Sequence, residues 1–129
     1  MALFLKRLLE DPHLPHRLIN ERGGQVIATH LLTAFDSRSR RTGLLKHDSL
    51  PEGSALLIAP SNSIHTFFMK FAIDVAFVAK DGRVLKVRHA MPPWRMAGAL
   101  RGFLVVELPA GVLARSKTSA GDTLRILTM

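Results

Sequence analysis

Short apolar runs of strand length, separated by turn residues, recur along the chain. Arg22-Gly23-Gly24 is a turn signal, and the β-branched and apolar stretch from Gln25 to Leu32 predicts the second arm of a hairpin over Arg17 to Thr33. Asp36 stands where a helix N-cap belongs, with Gly43 near the far end, so Ser37 to Leu45 is expected to form one or two helical turns. The apolar run Ala55 to Ala59 has the length of a buried strand, and Pro60 ends it. Phe67 to Lys70 and Ile73 to Ala79 read as extended. The second of these joins Arg83 to Arg88 through Asp81-Gly82, the clearest hairpin in the chain. In that last arm basic residues alternate with apolar ones, Leu85 being the one break, which predicts a buried and a wet face. Pro92-Pro93-Trp94-Arg95 breaks regularity and should leave Trp94 partly exposed. Phe103 to Leu108 is a further strand closed by Pro109-Ala110-Gly111, and Ala120-Gly121-Asp122 leads into a last one over Thr123 to Leu127.

Five to seven short strands with little helix predict a mainly β fold rather than βαβ units. The expectation is a single-domain open barrel or jelly-roll-like sandwich with one or two short helices. The whole chain, 1–129, is read as one domain: a short N-terminal helix and loop over 1–16, then the β domain over 17–129.

Composition narrows the chemistry. With no cysteine, disulfides, thiolate nucleophiles, iron–sulfur clusters and cysteine-bearing zinc patterns are excluded. Lys6, Arg7 and Glu10 interrupt the N-terminal leucines, so neither a secretory apolar region nor a spanning helix is read there, and a cytoplasmic protein is expected. Eighteen Lys and Arg against ten Asp and Glu give a net charge of +8, concentrated in Arg38, Arg40, Arg41 and Lys46 and again from Arg83 to Arg101. Charge of this size attracts phosphates, anionic lipid or acidic proteins without choosing among them.

Arg40-Arg41-Thr42-Gly43-Leu44-Leu45 looks like an arginine-and-glycine helix signature, Ile64 to Val75 like a central motif, and Glu107-Leu108-Pro109-Ala110-Gly111 with Gly121-Asp122 like closing elements. Together, from Leu31 to the C-terminus, they resemble the bacterial and archaeal family of unknown function numbered 192. That resemblance implies a mostly β, barrel-like or jelly-roll-like fold and no established activity. Many members carry secretory or lipoprotein signals, and none is read in the first residues here. Thr42 stands where the signature has its second arginine, and Ser61 where close relatives often have cysteine, which argues against a thiol-dependent role.

Two carboxylates interrupt apolar strands: Asp74 among Ile73 and Val75 to Val78, and Glu107 between Val106 and Leu108. A buried ionised carboxylate needs a partner or a cavity. The structural expectation is a clasp by Arg40 on Asp74 or Glu107, since a guanidinium can bridge carboxylates with parallel hydrogen bonds. The functional expectation is a small β binding module with a pocket for a small polar or anionic molecule, rimmed by His65, Thr66, Asp74, Trp94, Arg95 and Glu107, with the indole as a stacking platform.

An alternative is a hydrolase-like enzyme using His65 with Asp74 or Glu107, with Ser61, Ser63 or Thr66 as nucleophile, although no Gly-x-Ser-x-Gly elbow is present. The sequence leans away from an enzyme. His65, Asp74 and Glu107 would suit zinc, manganese or iron, but the six histidines lack His-x-His or His-x-x-x-His spacing, so no metal and no cofactor is expected. A second alternative is an adaptor for nucleic acid or an acidic partner through Arg38, Arg40, Arg41, Arg83, Lys86 and Arg88, which requires one contiguous patch. No helix-turn-helix, ribonucleoprotein motif or phosphate loop supports nucleic acid, and a protein partner is the further option.

Overall fold

A computed structural model describes residues 3–129; of the expected N-terminal helix and loop, residues 1 and 2 lie outside the described residues. A 3-10 turn, Leu3–Leu5, runs into α1 (Lys6–Glu10), which buries Leu8. Ten strands follow, with two more short helices among them, giving a mainly β architecture. β1 (His16–Asn20), β2 (Val26–Ala28) and the C-terminal β10 (Leu124–Thr128) form a three-stranded sheet in the order β10-β1-β2. β3 (His30–Ala34), β4 (Ser54–Ile58), β6 (Ile73–Val78), β7 (Val84–Met91) and β9 (Leu104–Pro109) form a five-stranded sheet in the order β3-β4-β9-β6-β7. A two-stranded ribbon pairs β5 (Ser63–His65) with β8 (Met96–Gly98). Among the described residues no helix is long and apolar enough to cross a membrane.

The sandwich expectation holds, without a closed barrel. Leu18, Ile27, Leu124 and Ile126 of the small sheet share an apolar cluster with Leu57, Val78, Val106 and Leu108 of the large one. The other face of the large sheet carries a second cluster of Leu56, Ile58, Val75, Phe77 and Val105, roofed by Leu44, Leu50, Met69 and the ribbon's Ile64. Covering both faces explains why every residue of β4, β6 and β9 is buried and why these strands read as mostly apolar runs, broken only by Ser54, Asp74 and Glu107.

Three local expectations change. The second hairpin arm is two strands: β2 pairs with β1, while β3 crosses to the large sheet, the break falling at Thr29, where Thr29 and His30 both donate to the Gly53 carbonyl. β3 runs parallel to β4, and the connection between them carries α2 (Ser37–Thr42), so one crossover unit exists where only antiparallel pairs were foreseen. Phe67 to Lys70 is a turn, with Phe68 at φ 66° and the Met69 N–H bonded to the Thr66 carbonyl. A third helix, α3 (Val112–Arg115), follows β9.

The Asp81-Gly82 hairpin is as read, for a packing reason. Gly82 has φ +97°, and a Cβ there would lie 2.6 Å from the Leu124 carbonyl oxygen and 3.0 Å from Phe4 Cδ1. This turn is where the N-terminus, the large sheet and β10 meet.

Asp122 locks the small sheet. Its carboxylate accepts from Arg22 Nε at 2.9 Å and Nη2 at 3.1 Å, from the Ser119 N–H at 3.0 Å and from Asn20 Nδ2 at 2.9 Å. The Arg22 hydrogen bond, followed by those from Ser119 and Asn20, holds this carboxyl well below the usual carboxylate range. A depressed folded value means the stabilisation is present above the unfolded carboxylate range and lost as pH falls through the folded value. Asp122→Ala is expected to lower Tm at pH 7 by roughly 5 °C or more. The gap to the parent should narrow at strongly acid pH; thermal unfolding at pH 7 and pH 2.5 checks both, and equal Tm at pH 7 would remove the lock.

Candidate functional site

The α2 crossover and the β5–β8 ribbon roof the second face of the large sheet without closing over it. Between them lies a cavity of about 460 Å³, within the range of small-molecule sites. Ile58 of β4, Met69 and Glu107 of β9 belong to its lining, together with Arg40, Arg41 and Gly43–Leu45 from the helix side and Ser61, Ser63, Ile64 and His65 from the ribbon side.

Local sequence builds each wall. Asp36 caps α2, its Oδ1 accepting from the Ser39 N–H at 2.7 Å, as its position predicts. Gly43 ends the helix at φ 47°, and a Cβ there would sit 3.7 Å from Glu107 Oε1, so the helix stop lies directly beside the carboxylate. This is the closest link between the arginine-and-glycine signature and the strand residue. Thr66 pins the far end of the ribbon: its Oγ1 donates to the Pro92 carbonyl at 2.6 Å and accepts from the Arg95 N–H at 2.9 Å.

Glu107 is the electrostatic centre. It is 3% exposed, and its cross-strand neighbours are Leu56 and Val75. Among the described residues no hydrogen bond or salt bridge reaches its carboxyl, and burial alone pushes its pKa up to about 7. Arg40 donates through Nη1 to the Phe35 carbonyl at 2.9 Å, and no salt bridge among the described residues involves Arg40 or Arg41. The Arg40 clasp is therefore absent: arginines and carboxylate share the cavity without touching.

Asp74 lies elsewhere. Register places Val75 opposite Glu107 and Asp74 opposite Leu108, and neighbours along a strand alternate faces, so the two carboxylates are on opposite sides of the sheet. Asp74 is fully buried, and backbone amides take the arginine's place. Oδ1 accepts from Ala90 N at 2.8 Å, and Oδ2 from Gly111 N at 3.1 Å and Leu113 N at 2.9 Å. A dyad of His65 with Asp74, and a cluster of His65, Asp74 and Glu107, cannot assemble across the sheet. Among the described residues no three His, Asp or Glu are grouped closely enough to hold a metal ion.

His65 does line the cavity with Glu107, but no hydrogen bond joins them. Its ring stacks on Phe67 at 4.9 Å, and Nδ1 accepts from the Phe67 N–H at 3.3 Å, which leaves Nε2 as the donor of the neutral ring. Ser61 Oγ donates to the Ser63 carbonyl at 2.9 Å rather than to the imidazole, so no nucleophile–base pair is formed. Trp94 is 55% exposed, as its proline-broken context predicts, yet it joins a surface ladder instead of the cavity, 5.8 Å from Phe67 and 4.6 Å from Phe68 between ring centres. Of the six expected rim residues the cavity gathers His65 and Glu107; Thr66, Asp74, Trp94 and Arg95 lie outside its lining. Arg41 and Ile58 were not foreseen as lining.

The basic residues do not form one patch. Arg38, Arg40 and Arg41 belong to the crossover beside β3, while Lys86 and Arg88 lie on β7 and Arg83 just before it. β3 and β7 are the two edges of the five-stranded sheet, four strand spacings or about 19 Å apart.

A family model for DUF192, described as "Uncharacterized ACR", matches residues 18–126. No curated protein matches the chain. Among solved structures, a protein of unknown function from Novosphingobium aromaticivorans DSM 12444 is similar with a TM-score of 0.74 at 20% identity, over 86% of this chain and 83% of its own. A protein described as a "putative transcription regulator" from Sinorhizobium meliloti 1021 is similar with a TM-score of 0.73 at 22% identity, over 87% and 92%. At these identities the likeness is one of fold.

Proposed function

The chain belongs to the DUF192 family, which has no assigned reaction, and from that premise we propose that it is a binding module taking a small anionic molecule into the cavity between α2 and β5. The observation that carries this reading is the pair of arginines, Arg40 and Arg41, lining a concave site and, among the described residues, in no salt bridge. Guanidinium groups pair with carboxylate or phosphate through parallel hydrogen bonds, and a low-dielectric wall strengthens that pairing. Ile58, Leu44 and Met69 supply the apolar part of the lining, which suits a ligand with a short hydrocarbon body.

Binding at one hundred times the dissociation constant stabilises the folded state by about 2.7 kcal/mol, a rise of several degrees for a domain of this size. The test is a thermal-shift and amide-NMR titration with straight-chain carboxylates and inorganic phosphate. The expected result is stabilisation with resonance shifts at residues 40–45 and 61–65, weakened at least tenfold in Arg40→Gln/Arg41→Gln and unchanged in Trp94→Ala. Stabilisation that survives the double arginine substitution would overturn the assignment.

A further inference from the structure

We infer, resting on that reading, that the cavity takes an amphoteric molecule: a carboxylate or phosphate held by Arg40 and Arg41 and, a short chain away, an amino or other N–H donor group held by Glu107. The other buried carboxylates of this protein are supplied with donors. Asp74 receives three backbone N–H groups, and Asp122 receives donors from Arg22, Asn20 and Ser119. Glu107, 3% exposed, receives none from the protein among the described residues, and what its carboxyl reaches is the cavity.

The surroundings offer no remedy of their own. Glu107's strand neighbours are Leu56 and Val75, and Ile58, Leu44 and Met69 line the same space. Ser61 has committed its hydroxyl to the Ser63 carbonyl, and Arg40, which spends only Nη1 on the Phe35 carbonyl, makes no ion pair with Glu107. The donor that Glu107 lacks within the protein is thus left to what the cavity holds, and a ligand's N–H group displaces water to supply it. The two arginines define the other end: cationic and out of salt-bridge reach of Glu107. A molecule negative at one end and hydrogen-donating at the other answers both ends at once, whereas a plain anion leaves Glu107 unanswered and brings a second negative charge near it.

The two kinds of occupant have opposite pH signatures. An ammonium group binds best to ionised Glu107, so its affinity rises with pH through neutrality. A plain anion tolerates Glu107 only when that group is protonated, so its affinity falls. The charged or titratable groups lining the cavity with Glu107 are Arg40 and Arg41 from α2 and His65 from β5; β4 and β6 contribute only Leu56, Ile58 and Val75. Histidine is the one other side-chain type in this set that changes charge near neutrality, so His65→Gln serves as the control.

The experiment titrates the full chain with straight-chain amino carboxylates from glycine to 6-aminohexanoate, each against the carboxylate of equal length, by calorimetry at pH 6 and pH 8. The expected result is that one chain length binds at least tenfold better with its amine than without it at pH 8. That preference should grow from pH 6 to pH 8, disappear in Glu107→Gln and persist in His65→Gln. Equal binding of the amine-free carboxylates, or affinity that falls with pH, would overturn the inference while leaving the anion-binding reading intact. Absence of binding by either series would overturn the inference, and failure of inorganic phosphate as well would overturn the anion-binding reading.

Discussion

Replacing Glu107 by Gln is expected to make the protein more stable at pH 8, by up to about 3 kcal/mol, and to leave it nearly unchanged at pH 4. The sign follows from the raised value: burial moves the carboxyl from 4.5 up to about 7. Below about 4.5 both the folded and unfolded forms hold the proton, and Glu107 contributes no pH dependence. Between the two values the folded protein keeps a proton that the unfolded chain has released, so stability falls as pH rises. Above about 7 both forms are ionised and the full penalty of the buried charge stands, about 1.4 kcal/mol for each tenfold difference in proton affinity between the folded and unfolded forms. Gln keeps the shape and cannot ionise. The carboxylates held low, Asp36, Asp48 and Asp122, act with the opposite sign and at more acid pH, outside this window. Urea unfolding of both proteins at pH 4, 6 and 8 measures the difference directly. Parallel curves at all three pH values would mean that water in the cavity already solvates Glu107.

A gain in stability on removing a native charge is informative about function. Where a stabilising substitution costs function, the group it replaces belongs to a site whose strain is used, so the gain informs only together with a loss of recognition. The same substitution is expected to abolish the preference for amine-bearing ligands, so stability and recognition should move in opposite directions at one position.

Much of the fold was legible because turns and apolar runs are local signals. Asp81-Gly82, Pro60, Pro109 and the Asp36 cap each sit at an element boundary that the chain itself marks. The sheet change at Thr29 was not legible, since Gln25 to Leu32 reads as one uninterrupted strand and only the Gly53 carbonyl of a distant turn separates its halves. Nor was the parallel pairing of β3 with β4, because a six-residue helix is a weak sign of a crossover.

The site was legible in its ingredients and not in its arrangement. Asp74 and Glu107 look alike in sequence, single carboxylates inside apolar strands, yet one is a structural acceptor and the other faces a cavity. Alternation along a strand fixes faces only relative to that strand; which of two strands' residues share a face depends on register, which sequence pattern does not carry. The arginine clasp failed for a related reason. Backbone amides are donors at every residue, so nothing in the sequence flags Ala90, Gly111 and Leu113 as the ones that converge on Asp74. Trp94 shows the converse: its exposure followed from the prolines, but exposure says nothing about which concavity a side chain borders.

The largest loss of stability is expected from Asp74→Ala. The aspartate is fully buried and gathers the amides of Ala90, at the far end of β7, and of Gly111 and Leu113, where β9 turns into α3. Ala90 and Gly111 both have positive φ, 46° and 97°, so the carboxylate also holds two irregular backbone segments in place. Removing it leaves the buried Leu113 N–H without an acceptor in the core and frees those of exposed Ala90 and half-buried Gly111, a loss of about 2–4 kcal/mol, which is a large share of the stability of an ordinary domain. Asp74→Asn keeps one acceptor oxygen but turns an amide N–H₂ toward amide donors, so it should recover only part of the loss. Urea unfolding gives the magnitude, and hydrogen exchange locates it: protection should fall first at Ala90, Gly111 and Leu113. A change under about 1 kcal/mol would mean that water replaces the carboxylate at little cost. Because Asp74 lies behind the sheet from the cavity, whatever fraction of Asp74→Asn remains folded should bind ligand with parental affinity, the mirror of the Glu107→Gln result. The two substitutions together separate the carboxylate that holds the fold from the one that we propose a ligand's donor group meets.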